Sequence, residues 1–314
     1  MTGNDAPSVE PLPELARSFL IVPLSSERFI AKAHLRGADG ITLDLEDGVA
    51  PSAKAAARDR LATAVKQVGR GGARVRVRIN RPLDLCVRDL EAAVIPGVST
   101  ICIAKVDSAG HVRLISEFIA KLEAERALPI GGISLFASIE TPAALMRVGE
   151  IAQADPRLTA IGLGTEDISA SCGFEPVPEA LLALKQAVLI AAKAAGIRAM
   201  GYVGSIADFT DLEAMRATIL RSKRLGFRGG SAIHPAQVPV LNEGFAPTTA
   251  EVEDAEAIVE AANIAFREGR GAFPYKGRMI DKPIVDRARD TLAMWRAVLA
   301  HEERTRALLA QKHA

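Results

Sequence analysis

Gly40-Ile41-Thr42-Leu43-Asp44-Leu45-Glu46-Asp47 is the stretch on which the fold of this chain turns. It is short, mostly apolar, and ends in acids. A strand covered on both faces reads as such a run, whereas a half-exposed strand alternates polar and apolar residues. Thr159-Ala160-Ile161-Gly162-Leu163 repeats the pattern and is followed by Gly164-Thr165-Glu166-Asp167. Working outward gives eight β-rich runs: Ser18–Pro23, Gly40–Glu46, Arg74–Asn80, Thr100–Val106, Ser134–Glu140, Leu158–Gly164, Ala199–Ser205 and Ser231–Pro235. Amphipathic segments lie between them, including Ser52–Val68, Ala109–Glu125, Glu179–Ala195 and Asp208–Leu225, with apolar residues at helical spacing. This alternation calls for parallel strands joined by crossover helices, and eight such strands close a (β/α)8 TIM barrel. An open doubly wound sheet is the alternative, but no Gly-x-Gly-x-x-Gly follows the first strand.

The expected organisation is a flexible N-terminal segment over residues 1–16, a catalytic barrel over 17–245 and a C-terminal helical extension over 246–314. The extension reads as a helix from Thr249, a Gly-rich turn carrying Gly269 to Met279 and a last helix from near Pro283. It is too small to be an independent domain and is expected to reach an oligomer interface.

Composition narrows the function. Of 314 residues, 49% are apolar and 25% charged, with a net charge of +1 and both signs mixed along the chain. That balance suits a globular enzyme and gives no long-range field for nucleic acid. No apolar run reaches the roughly 18 to 20 residues that cross a bilayer. The three cysteines, Cys86, Cys102 and Cys172, are odd in number and widely spaced, so neither a disulfide framework nor a zinc knuckle is expected, and a reducing cytoplasm fits.

In a β/α barrel the chemistry sits at the carboxyl ends of the strands, and the polar residues of this sequence fall there. The second strand ends in Asp44, Glu46 and Asp47, the third in Arg78 and Asn80, the fourth in Lys105, the fifth in Glu140, the sixth in Glu166 and Asp167, and the eighth in His234. Carboxylates converging on one mouth repel unless a cation intervenes, and oxygen ligands suit Mg²⁺ or Mn²⁺. Glu140 and Asp167 are the candidate metal ligands; capping of the helices that follow is the competing reading. Arg74, Arg76 and Arg78 should share one strand face, and Arg78 needs an anion, supplied either by a substrate oxygen or by Glu46 or Asp47. His234 and the turns Gly69–Gly72 and Gly229–Gly230 read as structural.

The blocks Arg17-Ser18-Phe19-Leu20-Ile21-Val22-Pro23, Asp44-Leu45-Glu46-Asp47-Gly48-Val49, Lys54-x-x-x-Arg58, Arg78-Ile79-Asn80, Ile139-Glu140-Thr141, Gly164-x-x-Asp167, Ile233-His234-Pro235-x-Gln237 and Gly277-x-Met279-Ile280-Asp281 resemble the citrate lyase β subunit and malyl-CoA lyase family of HpcH/HpaI aldolases. The resemblance implies a Mg²⁺-dependent carbon–carbon lyase that joins or separates an acyl-CoA and a 2-oxo acid. It implies Glu140 and Asp167 as metal ligands, Arg78 as the arginine on the substrate oxygen, and Glu46 and Asp47 as acids holding metal-bound water. Asp281 becomes the acid-base group supplied by an adjacent subunit of a homo-oligomer, a trimer or hexamer. Arg17, Lys54 and Arg58 become CoA phosphate contacts, with surface charge as the competing reading. The chain departs from the family pattern at Leu24, Ala104 and Gly229-Gly230-Ser231. Cleavage of a free 2-oxo acid without CoA, and a role as a carrier-dependent subunit of a larger complex, are the alternative functions.

Overall fold

The computed structural model describes residues 15–310, so residues 1–14 of the expected N-terminal segment lie outside the described residues. The chain divides into two compact units, one spanning Ala16–Phe245 and the other containing Leu15 and the chain from Ala246 onward.

The first unit is a sheet of eight parallel strands: β1 (Ser18–Pro23), β2 (Gly40–Asp44), β3 (Arg74–Ile79), β4 (Thr100–Ile103), β5 (Ser134–Ile139), β6 (Leu158–Leu163), β7 (Arg198–Met200) and β8 (Gly230–Ala232). They pair in the order β7-β6-β5-β4-β3-β2-β1-β8. The seam between β7 and β8 is bridged by the Gly201 N–H, which donates to the Gly229 carbonyl at 2.7 Å. The sheet is thus nearly closed into a barrel. Connecting helices are α1 (Glu27–Ala33), α2 (Lys54–Val68), α3 (Leu83–Ala93), α4 (Ala109–Glu125), α5 (Pro142–Met146), α6 (Val148–Ala152), α7 (Thr165–Cys172), α8 (Pro178–Ala194), α9 (Leu212–Leu225) and α10 (Gln237–Phe245).

Strand alternation sorts the two faces. On β3, Val75, Val77 and Ile79 are buried in the main apolar cluster with Ile41 and Leu43 of β2, Leu61 of α2 and Leu90 of α3. The alternate residues Arg74, Arg76 and Arg78 therefore point to the barrel interior. Phe19, Cys102, Phe136, Ala160 and Met200 form a separate small cluster. Burying a large aliphatic side chain contributes about 1.5–3 kcal/mol, so the layer between strands and helices holds the barrel.

β4, β7 and β8 end three or more residues earlier than the sequence pattern suggests. Lys105 adopts a left-handed backbone with φ 49°, which stops β4 at Ile103, and Gly201 at φ 131° turns the chain away after Met200. β8 occupies Gly230–Ala232 and lies beside Ala16, whose carbonyl would stand 1.7 Å from a Cβ at Gly229. That close approach explains the Gly229–Gly230 pair without a ligand. Helix α9 starts at Leu212 rather than Asp208, because Asp211 caps it and Asp208 instead bonds the Thr210 backbone.

In the second unit, α11 (Thr249–Arg267) begins with a capping box between Thr248 and Glu251. A hairpin of β9 (Phe273–Tyr275) and β10 (Arg278–Ile280) follows, and α12 (Lys282–Ala310) ends the described chain. Phe273, Ile280, Val285 and Ile258 supply its core. Among the described residues no helix is long and apolar enough to cross a membrane.

Candidate active site at the carboxyl ends of the strands

A cavity of about 340 Å³ opens among the carboxyl ends of the strands and is lined by Asp44, Arg78, Glu140, Glu166 and Asp167, among others. Its charge is ordered by a bidentate ion pair. Arg78 donates from Nε to Asp44 Oδ1 at 2.7 Å and from Nη2 to Asp44 Oδ2 at 2.8 Å. Its remaining terminal nitrogen, Nη1, lies 3.2 Å from Glu46 Oε2. Although burial opposes charge on Arg78, Asp44 and Glu46 outweigh it and push the guanidinium pKa above its ordinary value. Arg78 therefore keeps its charge throughout any turnover. Asp44 also accepts from the Glu46 and Gly48 backbone N–H groups, both at 2.9 Å, which folds the loop after β2 around it.

Lys105 reaches across from β4. Its ammonium donates to Glu46 Oε1 at 2.5 Å and Asp47 Oδ2 at 2.8 Å, and lies 3.5 Å from Asp167 Oδ1. Burial raises the Glu46 pKa in spite of Arg78 and Lys105. For Asp47, bonds from Lys105 and with Glu46 overcome burial and hold it low.

Glu140 stands at the end of β5, only 3% exposed. Burial raises its pKa to about 7; a hydrogen bond with Ser138 opposes the shift, and the charges of Asp167 and Glu46 add to it. A Cβ at Gly164 would lie 2.5 Å from Glu140 Cγ, so the glycine after β6 gives this side chain its room. Helix capping does not account for either candidate ligand. Thr141 Oγ1 caps α5 by accepting from Ala144 N, and α7 starts at Gly164 with no side-chain cap. Asp167, in the first turn of α7, has a side chain 39% exposed and turned toward Lys105. Among the described residues, no group of three or more His, Cys, Asp or Glu side chains is arranged to hold a metal by itself.

Below this acidic layer the cavity is basic. Arg76 is buried, with Cζ 3.7 Å from the Phe19 ring centroid and 4.3 Å from that of Phe136. Burial lowers its pKa to about 10, the reverse of Arg78 two residues on. Lys185 of α8 is also buried, donates to the Leu163 carbonyl at 3.1 Å and is lowered to about 8 by burial. Neither residue was singled out by strand-end reading, because Arg76 lies mid-strand and Lys185 sits on a helix.

The three expected phosphate contacts are placed elsewhere, and each for a physical reason. Arg17 precedes β1 at the amino ends of the strands and makes a buried ion pair with Asp39, Nη2 to Oδ1 at 2.8 Å. Lys54 is buried and donates to the Leu45 and Glu46 carbonyls, both at 2.8 Å, and to Asn80 Oδ1 at 2.7 Å. Arg58 bonds Asp89 Oδ1 at 2.6 Å, and Asp89 in turn accepts from Asn80 Nδ2. The Lys54, Asn80, Asp89 and Arg58 side chains form a scaffold behind the site that fixes the loops after β2 and β3. None of the three is a surface charge. Asp281 belongs to the second unit, exposed between β10 and α12, where its carbonyl accepts from the Ile284 and Val285 N–H groups.

A second cavity, of about 490 Å³, lies beside the first and carries Arg28, Lys32 and Arg36, four residues apart along α1 and its C-terminal turn. All three are exposed, as is Phe29. Ile21, Pro23 and Ile233 line both cavities, so the basic groove adjoins the acidic mouth. The four-residue spacing was the signal in the sequence, since it puts the three cations on one helix face. His234, at the groove wall, stacks on Phe209 with ring centroids 5.0 Å apart and accepts from Ala236 N, in keeping with a structural histidine.

Residues 17–235 match the family model for HpcH/HpaI aldolase/citrate lyase. The citrate lyase subunit beta of Escherichia coli K12 is 36% identical over 280 residues, 88% of this chain and 92% of that protein. The L-malyl-CoA/beta-methylmalyl-CoA lyase of Rhodobacter capsulatus is 37% identical over 289 residues, covering 85% of this chain and 90% of that protein. A crystal structure of CitE from Mycobacterium tuberculosis, in complex with magnesium, acetoacetate and coenzyme A, superimposes with a TM-score of 0.70 at 28% identity, covering 90% of this chain and 98% of that one. With its nearly closed eight-stranded sheet and its acid-ringed mouth, the chain belongs to the HpcH/HpaI aldolase/citrate lyase family and is an enzyme of the lyase class.

Proposed function

We propose that this protein is a Mg²⁺-dependent lyase that cleaves or forms a 3-hydroxyacyl-CoA of the malyl-, citramalyl- or citryl-CoA type, giving an acyl-CoA and a 2-oxo acid. The observation that carries this reading is the pairing of a buried carboxylate, Glu140, with a permanently charged Arg78 in one cavity that adjoins a basic groove. The donor set fits magnesium. Glu140 and Asp167 are hard oxygen ligands, and the ion needs only one or two carboxylates when substrate and water fill its other positions. Glu140, buried and held from ionising until about pH 7, is a carboxylate that lacks a counter-charge.

When bound, the ion supplies Lewis-acid polarisation of the oxygen on the carbon that is cleaved. Arg78 adds a fixed positive charge beside the same oxygen: Asp44 locks Nε and Nη2, and Nη1 lies 3.2 Å from Glu46 Oε2. Such preorganised charge stabilises a developing alkoxide without reorganisation. Glu46 and Asp47, tied by Lys105, hold water on the outer side of the site. In cleavage the hydroxyl gives its proton to the water held by Glu46 and Asp47, its C–O becomes a carbonyl, and the electron pair of the breaking C–C bond passes to the thioester as an enolate. Asp281 of a neighbouring subunit in a homo-oligomer returns a proton to that carbon, and removes it in the condensation direction. Arg28, Lys32 and Arg36 bind the phosphates of the carrier, in place of Arg17, Lys54 and Arg58. The groove favours a CoA thioester over a free 2-oxo acid, which has no use for it.

Purified protein incubated with Mg²⁺ and malyl-, citramalyl- or citryl-CoA should release a 2-oxo acid, measured as its phenylhydrazone, and EDTA should stop the reaction. Cleavage that persists after complete metal removal would refute the metal-dependent mechanism. Because burial raises Glu140, its ionisation opposes folding; this cost is absent below about pH 4.5, grows as pH rises and reaches about 3 kcal/mol above pH 7. Metal-free Glu140→Gln should therefore melt higher than wild type at pH 8 and match it near pH 4, and Mg²⁺ should no longer raise its melting temperature. The double variant Lys32→Glu, Arg36→Glu should raise KM for the CoA thioester roughly tenfold with kcat little changed. Inactive Asp281→Ala and Arg78→Ala proteins, mixed and reassociated, should regain activity in proven mixed oligomers; no recovery there excludes a site shared between subunits.

A further inference from the structure

Arg76 is a buried cation for which the proposed reaction has no task. It lines the cavity one inward-facing position deeper on β3 than Arg78, about 6.6 Å along the strand. Among the described residues it has no hydrogen-bond or ion-pair partner, and its Nε is a buried donor with nothing to donate to. The Phe19 and Phe136 rings pack against its guanidinium, with centroids 3.7 and 4.3 Å from Cζ, and such ring contacts give its N–H groups no acceptor oxygen. Thr42 stands opposite it in register on β2, lines the same cavity, and its Oγ1 is likewise buried without a partner. Cys102 does not supply the missing charge, because burial pushes its thiol up to about 12 and keeps it neutral.

We propose that Arg76 and Thr42 form the floor of the substrate pocket and bind the distal carboxylate of a dicarboxylic 2-oxo acid. This rests on the lyase reading above and narrows it to thioesters whose cleavage yields such an acid. A planar carboxylate matches the edge of a guanidinium in a two-pronged bond, and Thr42 adds a third donor. Free inorganic anions are a poorer fit, because the acids Glu140, Glu166 and Asp167 line the cavity above it as a ring of negative charge. A dicarboxylate passes that ring because its 2-oxo acid end engages Arg78 and the metal while its other end descends one strand layer.

The test is calorimetric and needs no turnover. Mg²⁺-loaded protein is titrated with oxaloacetate and 2-oxoglutarate, and with pyruvate and glyoxylate, as wild type, Arg76→Met and Thr42→Val. Wild type should bind at least one dicarboxylic acid about tenfold or more tightly than either monocarboxylic acid, the gain of one charge-assisted bond. Arg76→Met should reduce that preference to near unity, and Thr42→Val should weaken it. Arg76→Met keeps the apolar stem between the two rings, so its ligand-free melting temperature should equal or exceed that of wild type; a purely structural arginine would lower it. A wild type without preference, a preference unaffected by Arg76→Met, or equal thermal protection by sodium chloride or sulfate would each overturn the proposal. Should Arg76→Met not fold, Thr42→Val decides: an unchanged preference overturns the assignment. Arg76-dependent binding in a protein that cleaves no such thioester would leave this site standing and remove the CoA-thioester reading.

Discussion

Asp44, Glu46, Asp47, Glu140, Glu166 and Asp167 are brought by three strand ends to one mouth, and like charges so close in a partly dry site cannot all be ionised unaided. The ion pair of Arg78 with Asp44 and the bridge of Lys105 over Glu46 and Asp47 satisfy one side of this arrangement. Much of the surrounding structure serves those contacts. Lys54 and Asn80 hold the Leu45 carbonyl, so the acids of the loop after β2 face Lys105 in one geometry. The left-handed backbone at Lys105 turns the chain immediately after β4. A Cβ at Gly48 would lie 2.4 Å from Asp44 Oδ2, so this glycine lets the loop close on the buried carboxylate. On the other side Glu140 has neighbours of its own sign, and that imbalance is the physical argument for a cation there.

The barrel was legible because strands buried on both faces leave apolar runs that end in polar residues, and eight such runs stand in order along the chain. Their lengths were less legible. Lys105 and Gly201 end strands by backbone angle, and nothing in an apolar run announces a left-handed residue. Glu140, Asp167 and Arg78 were readable from their place at strand ends, and the structure lines one cavity with them. Of the partners of Arg78, Glu46 was readable as well, and Asp44 was not. Asp44 faces it only because Asp44 and Arg78 are opposite each other in the β2–β3 register, which a single sequence does not contain. The same limit explains Lys54 and Arg58. At helical spacing on an amphipathic segment they look like surface charges or phosphate contacts, but long-range pairing with Asn80 and Asp89 takes both inside.

Arg76 and Arg78 show how little of a residue's role lies in its type. They share a strand and a face, yet burial, aided by the charges of Arg74 and Arg198, governs one while two carboxylates govern the other. An unpaired buried charge opposes folding, and an apolar side chain of similar shape generally packs there at lower cost. The two phenyl rings offset part of that cost, since cation–π contacts contribute roughly 0.5–2 kcal/mol each, but they leave the in-plane N–H groups without acceptors. A group that stays unsatisfied in the free protein is one a ligand can satisfy with a net gain, because its desolvation has already been met in folding. The orphaned Thr42 hydroxyl beside it follows the same logic. Acids at the mouth and cations beneath them divide one cavity into two kinds of site, and the molecule that suits both has an oxygen-rich end for a metal and a second negative charge about one strand layer away.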